Sequence, residues 1–344
     1  MAESANFPVI SFAPFLDPNA PESEQMAVAQ KLYDAFHTYG WVYLRDFGIS
    51  DEEVANMFAL PEMLVMFREN NTSQSKSYFD QPIDAKLANA LSDPAVNQGY
   101  TADGAEVGAS RKPDHKECYE YRRFNNPHVP DPAALPDFEP RLRIFYDKCH
   151  QLSLSVLSAL ALSIGLRRDF FVRHLARADP QLRLLHYMPI PAATLANPDE
   201  HARIHAHTDF GLCTILFQDA TGGLEVDPFH TGAFLPATPL PGTCVINVAD
   251  LLQRWSNDRL RSTRHRVVSP PSPTTTTMLP ARYSTAFFVH PSADTTVAPI
   301  VMDGEAGEKA RYEAVNAGEW RTRITAANYS LPVEAATATA AAAS

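Results

Sequence analysis

The sequence predicts a mainly β protein with flanking helices, and three observations carry that expectation. Short apolar runs bounded by Pro, Gly, Asp or Asn recur after about residue 180: Leu182–Tyr187, Leu212–Gln218, Gly223–Val226, Thr243–Val248, His265–Val268 and Tyr283–His290. Many short strands separated by turn residues give a β-sandwich or barrel. Helical periodicity is confined to the stretches before and after them. Proline, 28 of 344 residues, is about 8% against the usual ~5%, which marks loops and strand ends rather than a helix bundle.

Taken in order, FPVISF (Phe7–Phe12) is a short strand with a proline at its entry. Val28, Leu32, Ala35 and Phe36 then fall at i, i+4, i+7 and i+8, one face of a helix that Gly40 terminates. Trp41–Leu44 reads as a strand, residues 51–90 as largely helical, and Arg141–Leu166 as a long helix with Phe145 and Leu152 on its apolar face. Its most apolar part, Leu152–Leu166, is short of the roughly 20 residues that a bilayer requires. Beyond Pro299 a helical stretch is expected over Gly307–Tyr329, followed by a low-complexity tail. One barrel core wrapped by helices from both ends is simpler than two domains. The expected organisation is one catalytic unit over 1–330: an N-terminal helical region (1–178), the β core (179–300) and a C-terminal helix (301–330), with 331–344 a disordered tail.

Composition excludes several classes. With 29 basic and 40 acidic side chains the net charge is −11, the wrong sign for a phosphate-backbone binder. Cys118, Cys149, Cys213 and Cys244 are scattered without a CxxC pair, which excludes a cysteine zinc site or a disulfide scaffold and suits a reducing cytosol. MAESANFPVISF has neither a basic nor an apolar signal region. The expectation is a cytoplasmic, monomeric protein with a small-molecule partner and neither nucleic acid nor membrane as partner.

Chemistry concentrates at His207-Thr208-Asp209. On a strand, alternate residues share a face, so an H-x-D pair aims an imidazole and a carboxylate at one point. The spacing alone is common by chance, but three features strengthen it. His265 lies in the strand-like STRHRVV, far enough on for intervening strands to return it beside the pair. Two His and one carboxylate make the facial triad of non-heme Fe(II) oxygenases, with coordination positions left open. Arg282 and Ser284 repeat the i, i+2 logic with a fork and a hydroxyl suited to a carboxylate, and Tyr187 adds a phenol.

His207, Asp209, His265, Arg282 and Ser284, in this order and spacing, resemble the 2-oxoglutarate/Fe(II)-dependent dioxygenases of the isopenicillin N synthase-like family. PVISF and AFHTYGWVYLRDFGIS are similar to that family's N-terminal region, and NVADLLQRWSNDRLRSTRHRVV with RYSTAFFVHP to its catalytic core. The resemblance implies a double-stranded β-helix (jelly roll). It implies Fe(II) held by His207, Asp209 and His265, and 2-oxoglutarate held at its far carboxylate by Arg282 and Ser284 with Tyr187 assisting. The implied reaction consumes O2 and releases succinate and CO2 as a small molecule is hydroxylated or desaturated. LRLLHY, LLQRWSND, HRVVSPP, RYSTAFF, NQGYTADG and KECYEY resemble the fungal thymine 7-hydroxylase branch, so nucleobase oxidation is one substrate reading. A ferrous oxidase that uses no 2-oxoglutarate is the alternative, and a catalytically dead binding module a third.

Arg183, four before Tyr187, shares that strand's inward face, where a buried guanidinium needs either a ligand carboxylate or a structural salt bridge. Tyr100, Tyr119, Tyr121 and Phe288 are the aromatic candidates for the substrate pocket. His205 is not expected to touch metal, Asp250 and Asn257 are expected to satisfy turns, and Trp255 to lie in the core. Three departures from the family pattern stand out: Met188 between Tyr187 and Pro189, Ala249 where glycine is usual, and the segment Leu60–Thr72, which reads as an insertion.

Overall fold

The computed structural model describes residues 6–58, 74–93, 97–108, 110–124, 126–270, 276–302 and 309–328. The Leu60–Thr72 segment and the tail 331–344 lie outside these residues.

The first half builds a helical support. Strand β1 (Val9–Ser11) and the single turn α1 (Ala13–Leu16) precede α2 (Glu22–Thr38), whose first turn carries Glu22 and Glu24 where the helix dipole favours them. Val28, Leu32, Ala35 and Phe36 all face inward, as their spacing predicts. Gly40 then turns the chain at φ +70°, and a Cβ there would run into the Arg261 carbonyl, so only glycine fits. That turn launches β2 (Trp41–Arg45). A Ser50–Glu53 capping box opens α3 (Asp51–Met57), and α4 (Gln74–Phe79) and α5 (Ile83–Leu87) follow. The long helix α6 runs Phe138–Ser163, three residues earlier at each end than its periodicity suggested. It buries Leu142, Phe145, Leu152, Val156, Leu157 and Leu160, each stabilising by about 1.5–3 kcal/mol relative to exposure.

Two strands in this half were not anticipated, β3 (Gly99–Thr101) and β4 (Glu117–Tyr121). Both join the main sheet, because β4 pairs antiparallel with β5 (Gln181–Tyr187). The chain continues through β6 (Ile190–Pro191), β7 (Ile204–His207), β8 (Cys213–Gln218), β9 (Leu224–Asp227), β10 (Leu235–Pro236) and β11 (Cys244–Val248). After helix α7 (Asp250–Trp255) come β12 (Arg264–Val267), β13 (Met278–Leu279), β14 (Arg282–Val289), β15 (Thr296–Val297), β16 (Val315–Asn316) and α8 (Ala317–Asn328). The C-terminal helix is thus shorter than expected, since a two-stranded ribbon takes up part of the chain before it.

The strands form an eight-stranded sheet, β1-β2-β11-β8-β14-β5-β4-β3, and a four-stranded sheet, β10-β9-β12-β7. Both keep edges among the described residues, so the core is an open jelly roll rather than a closed barrel. The outer face of the large sheet packs on α2 and α6 in one apolar cluster. Its inner face and the small sheet share a second cluster with Phe7, Trp41, Tyr187, Val226 and Val267, and beside it the two sheets enclose a cavity.

Candidate active site

The cavity, about 580 Å³, is lined from both sheets and from distant segments: β5, β7, β8, β11, β12, β14, residues 106–108 and 110, and the end of α8. Its metal-ligating end comes from the short β7. His207 is that strand's last residue, and Asp209 lies beyond it in the loop to β8. The pair therefore does not sit on one strand face. The loop bends tightly instead, with the Asp209 carbonyl accepting from Asp250 N (2.8 Å) and Gly211 pressed against β14, where a Cβ would meet the Val289 carbonyl at 2.5 Å. His265 arrives from β12, directly opposite His207 in the antiparallel register.

The hydrogen bonds fix which atoms are available. His207 Nδ1 faces the His205 carbonyl (2.8 Å) and His265 Nδ1 the Thr263 carbonyl (3.3 Å). A carbonyl only accepts, so both Nδ1 atoms carry the proton and both Nε2 lone pairs are exposed to the centre. Asp209 Oδ2 accepts from Thr214 Oγ1 (2.6 Å) and Asn247 Nδ2 (2.8 Å), leaving Oδ1 3.7 Å from each Nε2. Burial works to raise the Asp209 pKa, but the two imidazoles and these hydrogen bonds outweigh it and hold the carboxyl below its ordinary value. Burial, with the neighbouring His207, pushes His265 down to about 4. Neutral imidazoles and a carboxylate are the protonation states that bind a divalent metal, so the donor set fits an iron ion. Trp41 closes the back of the site, its ring edge-on to His265 at 5.1 Å and its indole N–H donating to Thr263.

Further along the large sheet, Arg282 pairs in register with Tyr187. Arg282 is 1% exposed; Nη1 donates to Ser284 Oγ (3.2 Å) and Nη2 to Gln218 Oε1 (3.1 Å), and its guanidinium lies 4.7 Å from the Tyr187 ring centre. Tyr187 Oη is 3.3 Å from Ser284 Oγ. No carboxylate among the described residues forms an ion pair with Arg282. A buried fork and two hydroxyls without a carboxylate ion pair among the described residues have the chemistry to receive a carboxylate.

The other end of the cavity carries a chain of buried charges, most of it on and beside β4 and β5 of the same sheet. His205 Nδ1 contacts Asp114 (2.9 Å), Lys116 pairs with Glu106 and lies 3.9 Å from Asp114, and Arg183 pairs with Glu106 (3.0 Å) and with Glu120. Glu120 also accepts from Gln181. Arg183 thus has internal carboxylate partners, the salt-bridge branch of the two sequence alternatives, while its guanidinium stands 5.4 Å from the Phe288 ring centre. Arg183 and Phe288 line the cavity; Tyr100, Tyr119 and Tyr121 do not. The reason is strand parity. Tyr119 and Tyr121 alternate with Cys118 and Glu120 on β4 and point at α6, and Tyr100 faces Tyr119 across the β3–β4 register. Their hydroxyls serve Glu117, the His128 carbonyl and Glu139.

His205, as expected, is outside the convergent triad, and Trp255 packs in the core on Phe171 and His174. Asn257 bonds backbone at Lys309 and Arg311. Asp250 differs from expectation: it accepts from Thr208 Oγ1 (3.0 Å) and Ser262 Oγ (2.6 Å), tying the Asp209 loop to the approach to His265. Thr214, Asn247, Gln218, Glu106, Asp114 and Lys116 went unread in the sequence. For Thr214 and Gln218 a signal existed, their inward parity on an apolar strand.

An open jelly roll with two imidazoles and one carboxylate converging at its mouth defines a mononuclear non-heme iron oxygenase. The profile described as 2OG-Fe(II) oxygenase superfamily matches residues 178–291, and that described as non-haem dioxygenase in morphine synthesis N-terminal matches 7–140. The 2-oxoglutarate-dependent dioxygenase ecdK of Aspergillus rugulosus is 34% identical over 86% of this chain and 92% of its own. The proline hydroxylase buaE of Petromyces alliaceus is 33% identical over 86% and 91%. The structure of full-length thymine 7-hydroxylase from Neurospora crassa in complex with alpha-KG superposes with a TM-score of 0.82 at 32% identity, covering 95% of this chain and 98% of that one; the same protein has been solved with thymine. The chain belongs to the 2OG-Fe(II) oxygenase superfamily and is a 2-oxoglutarate-dependent dioxygenase, working with Fe(II), 2-oxoglutarate and O2. Among the described residues no helix is long and apolar enough to cross a membrane.

Proposed function

We propose that His207, Asp209 and His265 hold the iron, that Arg282, Ser284 and Tyr187 hold the far carboxylate of 2-oxoglutarate, and that the substrate is a small, polar, ring-bearing molecule lying between Phe288 and the charged wall. The observation that carries this is the convergence of two exposed Nε2 atoms and one Asp209 oxygen while every other donor atom of the three side chains is already hydrogen-bonded. The bound iron and 2-oxoglutarate supply the oxidising chemistry. The protein's part is to turn the Nε2 atoms of His207 and His265 to the centre, to orient Asp209 through Thr214 and Asn247, and to seat a carboxylate on Arg282 in a buried site. Trp41, Phe288 and Ile324 keep water from the reacting carbon. Residues 1–330 act as one catalytic unit in this reading, since Trp41, Glu106 and Lys116 from the first half line the same cavity as β14.

The substrate class is supported by the wall itself. Its cations are each met by carboxylates, so it offers hydrogen bonds and a flat aromatic face rather than a free cation, which suits a neutral heterocycle or cyclic amide. The thymine held in the Neurospora structure is the first compound to try, and proline, named for the buaE relative, is the second. The test is a mass-spectrometric screen with Fe(II) and 2-oxoglutarate. Oxygen gain or hydrogen loss on ring compounds, with succinate released one for one, is the expected result. Coupled turnover of open-chain acids alone would overturn the substrate class, and product formation without 2-oxoglutarate would overturn the role given to Arg282.

A further inference from the structure

A second arginine stands behind the carboxylate receptor. Arg203, immediately before β7, is fully buried. Its Nη2 donates to the Pro280 carbonyl (2.5 Å), so it reaches from the small sheet to the segment leading into β14. Its guanidinium lies 5.8 Å from the centre of the Tyr187 ring, the same ring that Arg282 approaches at 4.7 Å. Arg203 Nε and Nη1 and Arg282 Nε find no hydrogen-bond partner among the described residues. The groups that act on Arg203 are Arg282, Tyr187 and Asp219, and the oxygens of Asp219 already accept from the backbone N–H groups of Thr221 (2.9 Å) and Tyr283 (2.6 Å). Burial, then the charge of Arg282, hold the Arg203 pKa down to about 10. The guanidinium is therefore still cationic at neutral pH.

Two buried cations on one tyrosine ring, with neutral hydrogen-bond acceptors and no carboxylate ion pair among the described residues, are unfavourable unless something else benefits. A strut would be better built from an uncharged side chain. The idle nitrogens of Arg203 are shielded from the cavity, so it does not touch a ligand there; its charge reaches the ligand through the low-dielectric interior. We propose that Arg203 is a positioning residue for the cosubstrate, a second cation that makes the Arg282–Ser284–Tyr187 receptor selective for an oxo acid bearing a distal carboxylate. The inference rests on the reading of Arg282 given above.

The test is anaerobic binding to the Fe(II)-loaded enzyme, followed by the visible charge-transfer band, with 2-oxoglutarate and with 2-oxopentanoate, which lacks the distal carboxylate. Arg203→Met, which deletes the charge and keeps the bulk, should raise the Kd for 2-oxoglutarate about ten-fold and leave that for 2-oxopentanoate unchanged. Arg203→Lys should restore the wild-type value to within about three-fold. The melting temperature without cosubstrate should hold or rise in Arg203→Met, and its increase on adding N-oxalylglycine should shrink. Arg203→Gln keeps a donor toward Pro280 and gives the same comparison if the methionine variant does not fold. An unchanged Kd for 2-oxoglutarate, or an equal loss for both oxo acids, overturns the proposal in favour of a structural strut. Arg282→Met is the control: if it too leaves 2-oxoglutarate binding intact, the receptor reading fails, whereas a neutral Arg203 with a crippled Arg282 sinks this inference alone.

Discussion

The two ends of the cavity handle buried charge in opposite ways. At the receptor end, Arg282 and Arg203 have hydrogen bonds to neutral groups and no carboxylate ion pair among the described residues. At the other end, Lys116 and Arg183 are closed off by Glu106, Asp114 and Glu120. The first arrangement is incomplete without an anion, and the second is complete in itself. On the proposed reading, charge selects the cosubstrate, while shape and hydrogen bonding select the substrate. His207, Asp209 and His265, the proposed iron ligands, line the same cavity.

The sharpest way to break this picture is at the triad. Losing even an outer partner of a metal ligand costs about 10–100-fold in affinity. Asp209→Ala should therefore lose more than about a hundred-fold in Fe(II) retention, measured by equilibrium dialysis, and turnover with it. Retained iron in that variant removes Asp209 from the site. The closed wall comes next. Lys116→Met leaves Glu106 to Arg183 and takes one cation out of a buried ionic unit, a change that costs up to about 3–5 kcal/mol. Urea unfolding should show that loss while 2-oxoglutarate binding persists in the folded fraction; a stability change under about 1 kcal/mol would mean the wall is not a closed ionic unit.

At the receptor end, Arg282→Met should raise the KM for 2-oxoglutarate about a hundred-fold with a smaller change in kcat, because a charge-assisted bidentate contact is gone. Equal effects on both constants would place Arg282 in the chemistry instead. A subtler probe is Glu120, fully buried, whose pKa burial raises from 4.5 to about 7 despite Arg183. A raised folded-state pKa means stability present below about pH 4.5 is lost as pH rises through about 7. The melting temperature should decline from about pH 5 to 7 in the wild type and run flatter in Glu120→Gln; parallel curves would remove Glu120 as the cause. Smallest of all, Tyr121→Phe deletes the bond to Glu139 behind the sheet and should cost about 1 kcal/mol with kinetics unchanged. An altered substrate KM there would put Tyr121 back in the pocket.

What the sequence disclosed follows from range. H-x-D and R-x-S are local pairs, and a local spacing survives whichever turn or strand carries it, so both were legible even though Asp209 leaves the strand. The helix α2 and the runs that became β5, β8, β11 and β14 have periods that show directly. The charged wall has no such signature: Glu106, Lys116, Arg183 and Asp114 meet only because β4 pairs with β5, a contact between halves of the chain. The tyrosines failed for the complementary reason. Their chemistry suited a pocket, but a one-residue parity choice on β4 sends them to the helix side and Glu120 inward.

One contact of the last helix has a further consequence. Trp320 Nε1 donates to the Phe210 carbonyl (2.9 Å), next to Asp209, and Ile324 and Asn328 of the same helix line the cavity. The lining of the cavity is thereby completed by segments outside the two main sheets, the residues near 108 and the end of α8. The iron and cosubstrate groups ride mainly on paired strands. On the proposed reading, a change at Ile324 or Asn328 alters the space a substrate meets without replacing any residue proposed to hold iron or cosubstrate.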